Sequence, residues 1–269
     1  MNIDFILIFF SSLVFILFLI ITFSEIKRKG DLSKFLFFIS LFFASISFIF
    51  TSYYFIISDS ENILMITFSI LLTIMSFLYL VACLVDFSFI KLRLFFTPYF
   101  FLILIITNFF LFYDFEIYSF NLFGNKTLAL HIILSLLAYS FLSISAFSSL
   151  SIFAIEKKLK APVQKYNTIY NLLPSIYESE IITIKLLCTT QIFLLLSLIT
   201  GFSYSYKLLN NYSFFLDEKS IFSVITFILI CGLLFIRYCY GISGKKVFNI
   251  VFLSYFFINF SYFGIKVFW

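Results

Sequence analysis

Apolar runs of about twenty residues recur from one end of this chain to the other, separated by short polar connections. Each run is long enough to cross the roughly 30 Å hydrocarbon layer of a bilayer as a helix. Composition agrees: 63% hydrophobic residues, 12% charged residues and a mean hydropathy of +1.13 leave too little polar surface to coat a soluble particle of this length. A polytopic membrane protein is the expected class.

The long apolar stretches place spans near 5–23, 36–57, 63–85, 95–113, 130–154, 182–205, 220–240 and 247–267, an all-α bundle of eight transmembrane helices. A β-barrel would show about ten-residue strands of alternating polarity, whereas FILIFFSSLVFILFLIITF is apolar on every side. Helices also satisfy their own backbone groups in lipid. Lacking a long Gly, Ser or Pro-rich linker, residues 1–269 read as a single transmembrane domain.

Charge sets the expected orientation. Fourteen of the eighteen basic residues, among them Lys27, Arg28, Lys29, Lys91, Arg93, Lys157, Lys158, Arg237, Lys245 and Lys246, fall beside connections on one side. Only Lys126, Lys207, Lys219 and Lys266 fall on the other, together with Asp59, Glu61, Asp114, Glu116, Asp217 and Glu218. The positive-inside rule then puts both termini outside and the basic loops in the cytoplasm. The start MNID lacks a basic n-region, so the first span reads as a retained helix rather than a signal peptide. The net charge of +5 follows from these topology determinants and calls for no nucleic-acid partner; the expected partner is the lipid bilayer, including its anionic head groups.

The connection 156–181, EKKLKAPVQKYNTIYNLLPSIYESEI, is long enough to hold structure of its own. Pro162 and Pro174 interrupt any continuous helix, and a short surface helix is expected with Leu172, Leu173, Ile176 and Tyr177 toward the bilayer or the bundle. Gly124 and Asn125 signal a turn before Thr127, a candidate cap of the fifth helix. Cys83, Cys188, Cys231 and Cys239 lie in or at the ends of spans without a Cys-x-x-Cys pair, which argues against a disulfide framework or a zinc site.

His131 is the only histidine, and it stands at the outer end of the fifth span. Helical spacing puts Ser135, Ala138 and Leu142 on its face with Tyr139 one step round, a stripe of small and hydroxyl residues suited to close packing that continues through Ser145, Ala146 and Ser149. One reading is an interfacial histidine hydrogen-bonded to a neighbouring helix or to water. The other is an axial ligand, because neutral imidazole suits haem iron and a membrane haem would hang from such a helix. No Ser, His and Asp set, phosphate-binding glycine loop or His-x-x-x-His spacing points to an enzyme. Asp217 and Glu218 read as solvated, Lys185 and Arg237 as side chains snorkelling to head groups, and no span contains a buried carboxylate or a paired mid-helix break of the kind that marks a transporter.

The segment LHIILSLLAYSFLSISAFSSLSIFAIEKKLK, then LPSIYESE, Thr200-Gly201, DEKSIFSVITF, YGISGKKV and the terminal SYFGIKV together resemble the cytochrome c assembly protein superfamily. The resemblance is strongest over 128–268, and within the superfamily it points to the inner-membrane YpjD/HemX-like branch, relatives of the CcsA and CcmC haem-handling proteins. It implies a bacterial inner-membrane protein that binds or influences haem on the outer side, in company with cytochrome c maturation proteins, with His131 at the position of the family's axial histidine. Two departures stand beside it. The haem-handling members carry a tryptophan-rich outer loop, whereas the sole tryptophan here is Trp269, and a second histidine where this chain has Asp217, Glu218 and Lys219. A second axial position would then be open or filled by Met65, and a haem-free scaffold that kept the bundle is the competing implication.

Overall fold

The computed structural model describes residues 3–24, 31–57, 63–112, 126–159, 173–209 and 218–261. Among them the chain is all-helical: α1 Ile3–Ser24, α2 Asp31–Ile57, α3 Ile63–Val85, α4 Arg93–Phe112, α5 Lys126–Leu159, α6 Ile176–Leu209, α7 Glu218–Tyr240 and α8 Lys245–Asn259, with a 3-10 turn at Phe87–Leu92 before α4. Among the described residues six stretches are long and apolar enough to cross a membrane: Lys34–Ile56, Met65–Val85, Phe87–Asn108, Lys126–Leu159, Ile176–Tyr206 and Lys219–Tyr240. In α1 the comparable described stretch is the shorter Phe10–Thr22. Helix α8 has 15 residues, about 22 Å at 1.5 Å per residue, less than a full hydrocarbon thickness. This is a multi-pass membrane protein.

The chain divides into two compact units, Met1–Phe120 and Asn121–Trp269. In the first, α1 packs on α2 and α4, and α3 on α2 and α4. Its core is aromatic: Tyr79 and Phe96 stack with ring centroids 4.4 Å apart, and Phe15 lies between Phe18 and Phe48 at 5.8 and 6.1 Å. Buried Tyr79 donates its hydroxyl to the Phe89 carbonyl at 3.1 Å, tying α3 to the 3-10 turn, whose start is capped by Asp86 accepting from the Ser88 amide. Outward, Phe10, Leu17, Phe43 and Phe50 are exposed, the apolar surface that a bilayer covers.

In the second unit α5 packs against α6 and α8, and α7 against α6 and α8. The small-residue stripe behaves as its spacing predicts: Ser135, Ala138, Ser145, Ala146 and Ser149 are all buried. Helices α5 and α6 are longer than expected, 34 residues each, or about 50 Å. The reason at the start of α6 is a capping box. The Ser175 hydroxyl accepts from the Glu178 amide at 3.2 Å while the Glu178 carboxylate accepts from the Ser175 amide at 3.0 Å. Ile176 and Tyr177, expected in a separate surface helix, therefore form the first turn of α6; Tyr177 is exposed and Leu173 buried. Helix α5 begins at Lys126, one residue before the expected cap Thr127. Gly124, Asn125, Leu172, Asp217 and Trp269 lie outside the described residues, and of Glu218 only the backbone is described.

Serine and threonine hydroxyls inside the helices mostly donate to a carbonyl three or four residues back, as Thr22 does to Phe18, Ser45 to Leu41, Ser140 to Leu136 and Thr190 to Leu186. One cluster reaches across. Ser148 on α5 donates to the Ser179 carbonyl on α6 at 3.0 Å, the Ser151 and Ser179 hydroxyls are 2.8 Å apart, and Thr183 Oγ1 lies 3.0 Å from Ser148 Oγ. All four side chains are fully buried.

Candidate functional site

His131 is the sixth residue of α5 and is half-buried against α6. Its Nδ1 lies 2.8 Å from the main-chain carbonyl oxygen of Ser197, with Ser197 Oγ further away at 3.4 Å. A carbonyl oxygen can only accept, so Nδ1 carries the hydrogen, and in the neutral ring Nε2 keeps its lone pair. The same carbonyl accepts from the Thr200 hydroxyl at 3.0 Å, which places Thr200, of the Thr200-Gly201 pair, at the turn of α6 that meets His131. Imidazoles that bind metals nearly always donate their second nitrogen to such a carbonyl, which sets the tautomer and the ring direction. The donor chemistry of the site therefore fits an iron ligand. Below the ring, Ser135 returns its hydroxyl to Ile132, and Ala138 and Leu142 are fully buried.

Tyr139, one step round, turns away to α8. It donates to Asn259 Oδ1 at 2.7 Å, with the Tyr255 hydroxyl at 3.5 Å. Met65 is buried in the first turn of α3, in the first unit.

At the opposite end of the second unit is a polar constellation that sequence reasoning missed. Glu180, the fifth residue of α6, is buried; its Oε2 accepts from Arg237 Nη2 at 3.0 Å and its Oε1 from the Gly244 amide at 2.7 Å. Arg237 also donates through Nη1 to the Ile242 carbonyl. Two expectations are corrected here. Arg237 does not snorkel to head groups but is held by a carboxylate, because α7 ends beside the start of α6. A candidate span does carry a buried carboxylate, though it sits at the helix end and its charge is met by a guanidinium. Lys185 is exposed, as a snorkelling side chain should be.

The turn between α7 and α8 depends on two glycines in the left-handed half of backbone space, Gly241 at φ +62° and Gly244 at φ +63°. Gly244 is also crowded: a Cβ there would meet Glu156 Oε2 at 3.1 Å. Glu156, Glu180, Tyr240, Lys245 and Asn249 line a cavity of about 690 Å³. In the first unit, an apolar groove of about 410 Å³ runs between Phe10 and Val14 of α1 and Phe43, Phe50 and Tyr54 of α2. His131 lines neither. Of the four cysteines Cys83 is buried and Cys188, Cys231 and Cys239 are exposed, all as free thiols.

The family model described as cytochrome C assembly protein matches residues 4–269, nearly the whole chain. The chain belongs to the cytochrome c assembly protein family. Membership links this membrane protein to cytochrome c biogenesis. An uncharacterized 28.8 kDa protein in the nifR3-like 5'region of Azospirillum brasilense is 30% identical over 141 residues, 51% of this chain and 49% of that protein. The match thus spans about half the length of that curated relative. No solved structure matches the chain.

Proposed function

We propose that this family member is a haem-binding assembly factor of the bacterial inner membrane, in which His131 Nε2 donates to haem iron on the outer side. The observation that carries the reading is the 2.8 Å contact between His131 Nδ1 and the Ser197 carbonyl, which makes Nε2 the nitrogen that keeps its lone pair in the neutral ring. Bound haem would supply an iron centre; the protein supplies an imidazole of fixed tautomer and apolar helix faces. Binding and positioning, rather than catalysis, is the role these residues support. In this reading all eight helices cross the bilayer in one bundle, both termini are outside, the chain belongs to the YpjD/HemX-like branch, and its partners are cytochrome c maturation proteins.

A second reading has its own observation. The same hydrogen bond joins α5 to α6, so His131 also serves as a strut in a haem-free scaffold. The chain has no other histidine to complete a pair.

The absorption spectrum of the protein purified from haem-replete membranes separates the two. Haem binding predicts a Soret band that His131→Ala abolishes. Colourless wild-type protein selects the scaffold.

A further inference from the structure

The polar interior of the first unit points to a site with no place in the family reading. Near the expected outer ends of α1, α2, α3 and α4, a small cavity is lined by Ser11, Thr51, Ser69, Thr107 and Asn108, with at least one polar residue from each helix. It leaves about 20 Å³ for the centre of a water molecule. About 10 to 15 Å³ of such space, with two to four polar partners, is enough to hold one water.

The hydrogen bonds around the cavity define what it accepts. Thr51 donates its hydroxyl to the Phe48 carbonyl at 2.9 Å, Ser69 to Ile66 at 2.8 Å and Thr107 to Ile103 at 2.8 Å. Each of these hydroxyls therefore directs its single hydrogen into its own helix and has only lone pairs left for the cavity. The Asn108 amide adds two donors and an acceptor. The cavity thus wants a small molecule that gives two hydrogens and takes at least one. Water does this. A bare cation would find hydroxyl and amide oxygens without a carboxylate among the lining residues, a weak set for a hard ion.

We propose that one ordered water occupies this cavity and joins α2, α3 and α4, donating its two hydrogens to the Thr51 and Ser69 hydroxyl oxygens and accepting from Asn108. In hydrocarbon, where no bulk water competes, such a bridge helps to fix the relative register of helices that pack largely through aromatic side chains.

The test is X-ray radiolytic labelling of the full chain in lipid nanodiscs, read by mass spectrometry. Internal water generates hydroxyl radicals in place, so Phe48, Phe55, Leu72 and Leu104 should be oxidised although all four are buried. The exposed Tyr238 reports bulk solvent and the outward Phe50 reports lipid. The paired change Thr51→Val with Ser69→Ala should remove labelling at the four cavity side chains and leave it unchanged at Tyr238. If that pair does not fold, Thr107→Val alone should weaken the labelling. Absence of cavity labelling in the wild type, or its persistence in a folded variant, overturns the proposal. Labelling lost when sodium chloride replaces choline chloride would assign the cavity to a small cation and overturn it equally.

Discussion

Glu180 and Arg237 are 57 positions apart in the chain and 3.0 Å apart in the fold. The carboxylate is the more deeply buried partner, at 9% side-chain exposure against 28% for the guanidinium, and it also holds the amide of Gly244. One carboxylate thereby fastens the start of α6, the end of α7 and the start of α8.

Removing the cation should leave that carboxylate buried with a single amide. Arg237→Ala is expected to lower stability by about 1.5 to 3 kcal/mol, the range for hydrogen bonds to charged groups. Thermal unfolding in detergent checks it. Adding Glu180→Gln should cost less than the two single changes summed, because the charge left without its partner is gone.

Gly241 and Gly244 have nearly the same φ but different surroundings. Gly244 has ψ −134°, a region kept to glycine, and a Cβ would press on Glu156. Gly244→Ala should cost about 1 to 3 kcal/mol. Gly241→Ala, with open space around it, should show the smaller fall in melting temperature.

Ala138 and Ala146 are buried in the α5 packing, with 0% and 4% exposure. Leucine at either place should overpack the interface at a cost of about 1 to 3 kcal/mol. A melting temperature equal to wild type would mean that α6 or α8 yields at that point.

Topology is checked by labelling. The basic-residue split predicts that Lys158→Cys, at the far end of α5 from His131, reacts with an impermeant maleimide only after the cells are opened. Reaction in intact cells would invert the orientation and with it the outer placement of His131.

The helices were legible because lipid tolerates so few polar interruptions that each span announces itself. Their ends were not, except where a local rule applied: Ser175 and Glu178 form an S-x-x-E box that could have marked the start of α6. The small face of α5 was readable from spacing alone, since helical periodicity decides which side chains share a side. Its partner contacts were not. His131 bonds the backbone of Ser197, and every residue offers a carbonyl, so nothing in the side-chain pattern singles that one out. Glu180 and Arg237 were invisible as a pair for a related reason: Arg237 looked like an ordinary charge at a membrane boundary, and nothing in the connection before α6 singles out Glu180 until α6 and α7 are neighbours.

The hydroxyls that fold back on their own helices bear on how such a chain is made. A serine or threonine already satisfied by the carbonyl one turn earlier presents little unmet polarity to hydrocarbon. Each helix can then leave the translocation machinery singly, before any companion has arrived. Ser148 is different, since it donates to the Ser179 carbonyl of the neighbouring helix. The α5 and α6 pair thus has a register defined by buried hydroxyls, which fits it to join early in the assembly of this unit.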